Sequence, residues 1–238
     1  MSAPSPPHPL ARTSALGLGL EFVAIVAGFV ALSVAAGDPA NACRWCSTNA
    51  FDTAARDLIV TRDPRLAATV SHVCSMLLAP VLALGAVVAA GVRSRARSHA
   101  AQDAVIVLNA VLLTVAFTDF AKKVASRQRP AFHFGVGAMT EAANVPVERF
   151  LSFFSGDTAI AFSLIAASAT VLRLRGHQVA SRVAAGGGAV AMMAGLLRVA
   201  ADMHWASDVL TGAAVGTLVG VALPAVVHGR EAVDAAAQ

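Results

Sequence analysis

Three short stretches carry the residues whose types and spacing are suited to chemistry. In "KKVASRQRP", Lys122 to Pro130, Lys122 and Arg129 stand seven residues apart. That is two helical turns, so on a continuing helix they share a face, and Pro130 disfavours helix at Arg129 and stops it there. Two such cations either neutralise lipid headgroups or clamp a phosphate, with Arg as a bidentate fork and Lys as a point charge. In "FFSGDTAIAF", Phe153 to Phe162, a Ser-Gly turn opens an apolar helix, with Asp157 at the junction. Free backbone N–H groups and the helix dipole there face any anion above them. In "RVAADMHWASD", Arg198 to Asp208, His204 and Asp208 are four residues apart. On a helix, the carboxylate holds one imidazole nitrogen and leaves the other free as a nucleophile. The plainer alternative is a polar histidine at an interface.

The elements that must position these residues follow from composition. Of 238 residues, 57% are apolar and 13% charged, against about 25% charged in an ordinary soluble domain. Mean hydropathy is +0.68. Such a chain is a membrane protein, and its Ala- and Gly-rich apolar mass suits closely packed membrane helices. A helix needs about 20 apolar residues to cross a bilayer. Six segments qualify or nearly so: Ser14–Ala36, Leu66–Val92, Ala100–Ala121, Thr158–Leu172, Val183–Ala200 and Val209–Val227. The fold class expected is an all-α, six-helix transmembrane bundle. It occupies residues 14–228, after a disordered Pro-rich tail (1–13) and before a cytoplasmic C-terminal tail (229–238). A signal peptide cleaved near "DPANA" is an alternative for the first segment, but its apolar run is long for one.

Arg93, Arg95 and Arg97 cluster in one short connection, and Arg173, Arg175 and Arg182 in another. The positive-inside rule puts both in the cytoplasm together with the two termini. The expected location is the cell (inner) membrane, with all three chemical stretches on the outer or periplasmic face. Trp45 and Trp205, the two tryptophans, then form part of an outer aromatic belt. Cys43 and Cys46 in "CRWC" read as a local disulfide in preference to a redox pair or half a zinc site. Cys74 reads as a small packing residue, and Gly212, Gly216 and Gly220 as a face for close helix packing. Glu21 is an acid inside the first apolar run, near its cytoplasmic end. Net charge is +4, with the basic residues placed between apolar runs, which favours topology over nucleic-acid binding.

Taken together, Lys-x6-Arg-Pro, Ser-Gly and Arg-x5-His-x3-Asp resemble the motifs of the type 2 phosphatidic acid phosphatase family, whose superfamily includes membrane lipid phosphatases and vanadium haloperoxidases. The resemblance implies that Lys122, Arg129 and Arg198 hold phosphoryl oxygens, with Ser155 and the Gly156 backbone completing the cradle. It implies that His204 attacks phosphorus to form a phosphohistidine, that Asp208 orients it, and that water releases phosphate without metal or other cofactor. Two departures stand out. Leu197 replaces a variable Ser, and "FFSGD" replaces Pro-Ser-Gly-His, so that Asp157 stands where the family has its general-acid His.

The expected function is therefore hydrolysis of lipid phosphate mono- or diesters, lipid diphosphates included. Asp157 is expected as a carboxylate paired with the clamp or as a helix N-cap; either is a poor proton donor near neutral pH. Diphosphates expel phosphate, need the acid least, and should be favoured over monoesters such as phosphatidic acid. Expected partners are a lipid phosphate or isoprenyl diphosphate and the surrounding membrane lipids, with no nucleic acid. The alternative is a catalytically silent relative that binds phospholipid or a partner. A transporter is disfavoured, because charged residues and Gly/Pro breaks are scarce at mid-span.

Overall fold

The computed structural model describes residues 15–37, 43–135 and 146–236; the Pro-rich tail, 1–13, lies outside them. Among the described residues all regular structure is helical. The helices are α1 (Ala15–Ala36), α2 (Ala50–Ile59), α3 (Pro64–Val73), α4 (Ala79–Arg93), α5 (Arg97–Ala125), α6 (Pro130–Phe134), α7 (Gly156–Leu174), α8 (Ala180–Arg182), α9 (Gly188–Ala200) and α10 (Ala206–Ala236). Six spans are long and apolar enough to cross a membrane: Gly17–Ala36, Pro64–Arg93, Arg97–Ala125, Gly156–Leu174, Ala180–Ala200 and Ala206–Gly229. Helix α10 runs on to Ala236, so most of the segment expected as a C-terminal tail extends the last helix.

Two spans contain π-helical turns, Cys74–Leu78 between α3 and α4 and Val183–Gly187 between α8 and α9. The first lies immediately before Pro80, and the Ala79 N–H bonds back to the Cys74 carbonyl. A proline ring clashes with the carbonyl four residues earlier, and a wider turn relieves that conflict. Cys74 is buried and unpaired in this turn.

Helix α7 is the most enclosed span and α1 the least. The core around α7 is built of small residues, among them Ala79, Ala83, Ala110, Ala161, Ala167 and Ala191, with Leu164, Ile165 and Val171. Helix α10 lies against α7 along its glycine face. A Cβ on Gly212 would come within 2.6 Å of the Ser155 carbonyl oxygen, and one on Gly220 within 2.6 Å of that of Ser163. These glycines bring two backbones together, which no larger residue allows.

The segments 43–63, 126–135, 146–155 and 201–205 fold against one another at one end of the bundle. Arg44 N–H donates to the Ser126 carbonyl, Ser152 N–H to that of Arg127, and Ala131 N–H to that of Asp202. At the opposite end, buried Asp103 pairs with Arg175 at 2.8 Å, and His228 lies 3.5 Å from the same carboxylate.

Candidate active site

The first stretch departs from a continuing helix. Helix α5 ends at Ala125, Ser126 takes a left-handed conformation (φ 42°), and Arg129 is extended ahead of Pro130. Lys122 therefore reaches the site from the last turn of α5, and Arg129 from the loop beyond it. Both line one cavity of about 330 Å³, together with Gly156, Asp157, Arg198 and His204. Val115 and Ile160 form part of its apolar wall.

Arg129 is buried, and each of its three guanidinium nitrogens has a partner. Its Nε donates to the Glu148 carbonyl at 2.9 Å and its Nη2 to the Glu148 carboxylate at 2.8 Å. Its Nη1 donates to the Met203 carbonyl at 3.0 Å and lies 3.3 Å from His204 Nε2. Burial lowers the Arg129 pKa, and the Glu148 carboxylate works against that shift.

His204 is held by the backbone more closely than by the acid four residues on. Its Nδ1 lies 2.8 Å from the Ser152 carbonyl oxygen and 3.7 Å from Asp208 Oδ2. A carbonyl only accepts, so Nδ1 carries the proton and Nε2 presents its lone pair toward Arg129. Burial is the main reason its pKa falls to about 3; the nearby Arg129 and Lys122 cations lower it further, and Asp208 opposes them. The two residues do not share a helix, because α10 begins at Ala206, after His204. Asp208 instead caps that helix from its first turn, accepting the Trp205 N–H at 3.0 Å. It also accepts the Ser152 hydroxyl at 2.5 Å. Ser152, absent from the sequence expectations, thus touches both the imidazole and the carboxylate.

Asp208 is anchored from beneath by Arg127, another residue that the motifs do not single out. Arg127 is fully buried, pairs directly with Asp208, and reaches Asp52 at 2.6 Å. Its guanidinium stacks 3.9 Å from the Trp45 ring centroid and 5.4 Å from that of Trp205. Trp205 is itself buried, with its indole N–H donating to the Gln128 carbonyl at 2.7 Å. It is therefore part of the site's floor and not of an interfacial belt; covering a buried cation with aromatic faces is the reason. Cys43 and Cys46 are joined in a disulfide that brackets Trp45.

The turn before His204 is pinned separately. Asp202 adopts φ 58°, which Asp tolerates better than most residues. Its carboxylate takes a bidentate grip from Arg56, at 2.6 and 2.8 Å. The hydrogen bond to Asp202 is the main cause of a raised Arg56 pKa.

Asp157 is not the N-cap of α7. Ser155 occupies that position, with its hydroxyl 2.9 Å from that of Thr158. Asp157 lies in the first turn and its carboxylate pairs with Arg198, which leaves the clamp pairing of the two expectations. His72 Nδ1 stands 3.8 Å from the same carboxylate oxygen. A Cβ on Gly156 would meet Thr118 at 3.3 Å and Lys122 Nζ at 3.6 Å, so the helix start sits directly beside the lysine.

Six apolar helices with a cation-lined histidine cavity at one end of their bundle define a multi-pass membrane protein. The chain belongs to the PAP2 superfamily, whose sequence profile matches residues 103–232. Its fold is shared with the crystal structure of a transmembrane PAP2-type phosphatidylglycerolphosphate phosphatase from Bacillus subtilis. The two chains are 20% identical with a TM-score of 0.52, and the match covers 89% of this chain and 96% of that one. No curated protein matches the sequence.

Proposed function

We propose that this protein is a membrane lipid phosphatase that works through a phosphohistidine on His204. The observation that carries this reading is the unprotonated Nε2 of a buried, neutral imidazole, 3.3 Å from Arg129 Nη1, in a cavity that also holds Lys122 and Arg198. Preorganised cations around a transferring phosphoryl group stabilise the charge that develops there. The three cations, the Ser155 turn and the Gly156 N–H form the cradle, while Asp208 and the Ser152 carbonyl fix the imidazole. Water then cleaves the N–P bond, and neither metal nor other cofactor takes part. The site faces the outer side of the membrane.

The substrate class follows from Asp157. A carboxylate paired with Arg198 is a weak acid toward a leaving alkoxide, and general acid catalysis contributes about 10²–10⁴-fold. Isoprenyl and other lipid diphosphates, which expel phosphate, are therefore turned over faster than monoesters such as phosphatidic acid or phosphatidylglycerolphosphate.

Phosphate release by the purified protein from both substrate classes tests this. His204→Ala should be silent on both, and an acid-labile, base-stable phosphoprotein should be trapped from the parent only. Asp157→His should raise monoester turnover most. A second reading, a silent phospholipid-binding relative, is favoured by the carboxylates already on Arg129 and Arg198. Phospholipid binding without release in the parent and Asp157→His alike would select it.

A further inference from the structure

His72 lies outside every motif, yet among the described residues its imidazole and the Arg198 guanidinium both lie within ion-pair distance of Asp157. Its Nδ1 is 3.8 Å from Asp157 Oδ2, the oxygen that also meets Arg198. The adjoining Ser71 is buried and donates to the Ala194 carbonyl at 2.8 Å, which ties this turn of α3 to α9, the helix that carries Arg198. The His72 side chain is 63% exposed and that of Asp157 18%. Asp157 lines the cavity with His204, whereas His72 is not part of that lining and meets the carboxylate from α3. The carboxylate thus sits between an accessible imidazole and the cavity.

Arg198 and His72 compete for one carboxylate. A phosphoryl group entering the cavity draws Arg198 to its own oxygens and repels Asp157 toward the imidazole of His72. On the phosphatase reading above, we propose that His72 and Asp157 together deliver the leaving-group proton. As the bond from His204 Nε2 to phosphorus forms and the phosphorus–oxygen bond breaks, the imidazolium of His72 gives its Nδ1 proton to the Asp157 carboxylate, which hands a proton on to the departing oxygen. In the second step water attacks phosphorus and the N–P bond breaks. Asp157 accepts the water's proton and returns it to His72, so the cycle closes with no other reactant. Among the described ion pairs, His72 meets Asp157 of α7, and Asp157 in turn meets Arg198 of α9.

The test uses the purified full chain and its His72→Ala, Asp157→Asn and His204→Ala variants. Phosphate release is measured from phosphatidic acid and from an isoprenyl diphosphate, with and without added imidazole. His72→Ala should lose about 10-fold or more on the monoester and less than about 3-fold on the diphosphate. Imidazole should restore the monoester rate in His72→Ala but not in Asp157→Asn, where the carboxylate link is gone. An equal loss on both substrates, no loss, or no restoration by imidazole overturns the relay. If the parent is active and His204→Ala silent while His72→Ala is unchanged, the relay alone fails. A parent as inactive as His204→Ala on both substrates removes the phosphatase reading and the relay with it. Matching unfolding temperatures for parent and His72→Ala exclude a folding defect at this exposed position.

Discussion

His204 stays neutral through the physiological range because burial opposes its charged form and holds its pKa near 3. The folded value lies below the unfolded value of about 6.5. Between those limits the unfolded chain binds more protons, so this group's contribution to stability is lost as pH falls through that window. In a histidine-labelled sample, the His204 ring nitrogens should hold constant shifts from pH 8 to pH 5; a midpoint near 6.5 would contradict the buried, uncharged nucleophile. Arg127 makes a second case at this scale. It is fully buried between Asp52 and Asp208, so Arg127→Met strands two buried carboxylates. Breaking such a pair costs about 3–5 kcal/mol, and thermal unfolding in detergent should register it. Arg127→Lys should recover part of that loss without the aromatic stacking. The meeting of Lys122, Arg129 and His204 at one cavity, with Asp208 beside the imidazole, was legible from type and spacing. Arg127, Asp52 and Ser152 were not, because their roles come from pairings across 56 to 81 residues of sequence that no local pattern encodes.

The spans were legible as elements because length and hydropathy alone define them, and their bounds moved only by a few residues. The short helices α2 and α6 escaped notice: they lie among loop residues and are positioned by contacts such as Arg56 with Asp202 and over the Phe134 ring. At the start of α7 the partner of the acid comes from another helix. Asp157 suits an N-cap by type, yet its carboxylate is taken by Arg198 from α9. The glycine face of α10 was legible as close packing, but what it meets was not. Gly212 lies against the Ser155 carbonyl, so it sets the distance between α10 and the start of α7. Gly212→Ala should therefore destabilise by about 1–3 kcal/mol through overpacking and slow phosphate release, because Ser155 and Asp208 are displaced together. Gly28→Ala on α1, with nothing within 4 Å of the added carbon, should change neither unfolding temperature nor turnover.

At the scale of the molecule, charge is balanced differently at the two ends of the bundle. At the site end Arg56, Lys123, Arg127, Arg129 and Arg198 each meet a carboxylate, from Asp202, Asp119, Asp52 and Asp208, Glu148 and Asp157. At the other end Arg175 meets Asp103, while Arg93, Arg95 and Arg97 stand exposed in and beside one short connection. Lys and Arg clustered in a short connection favour its retention in the cytoplasm, which is the basis for proposing that the site faces outward. The native cysteines give a quiet background for testing this, since Cys43 and Cys46 are bonded and Cys74 is buried. Arg62 and Arg95 are both exposed, one at each end. In intact cells a membrane-impermeant maleimide should label Arg62→Cys and spare Arg95→Cys, and in inverted vesicles the order should reverse. Labelling of Arg95→Cys in intact cells would place the site in the cytoplasm, and with it the source of the lipid phosphate it meets.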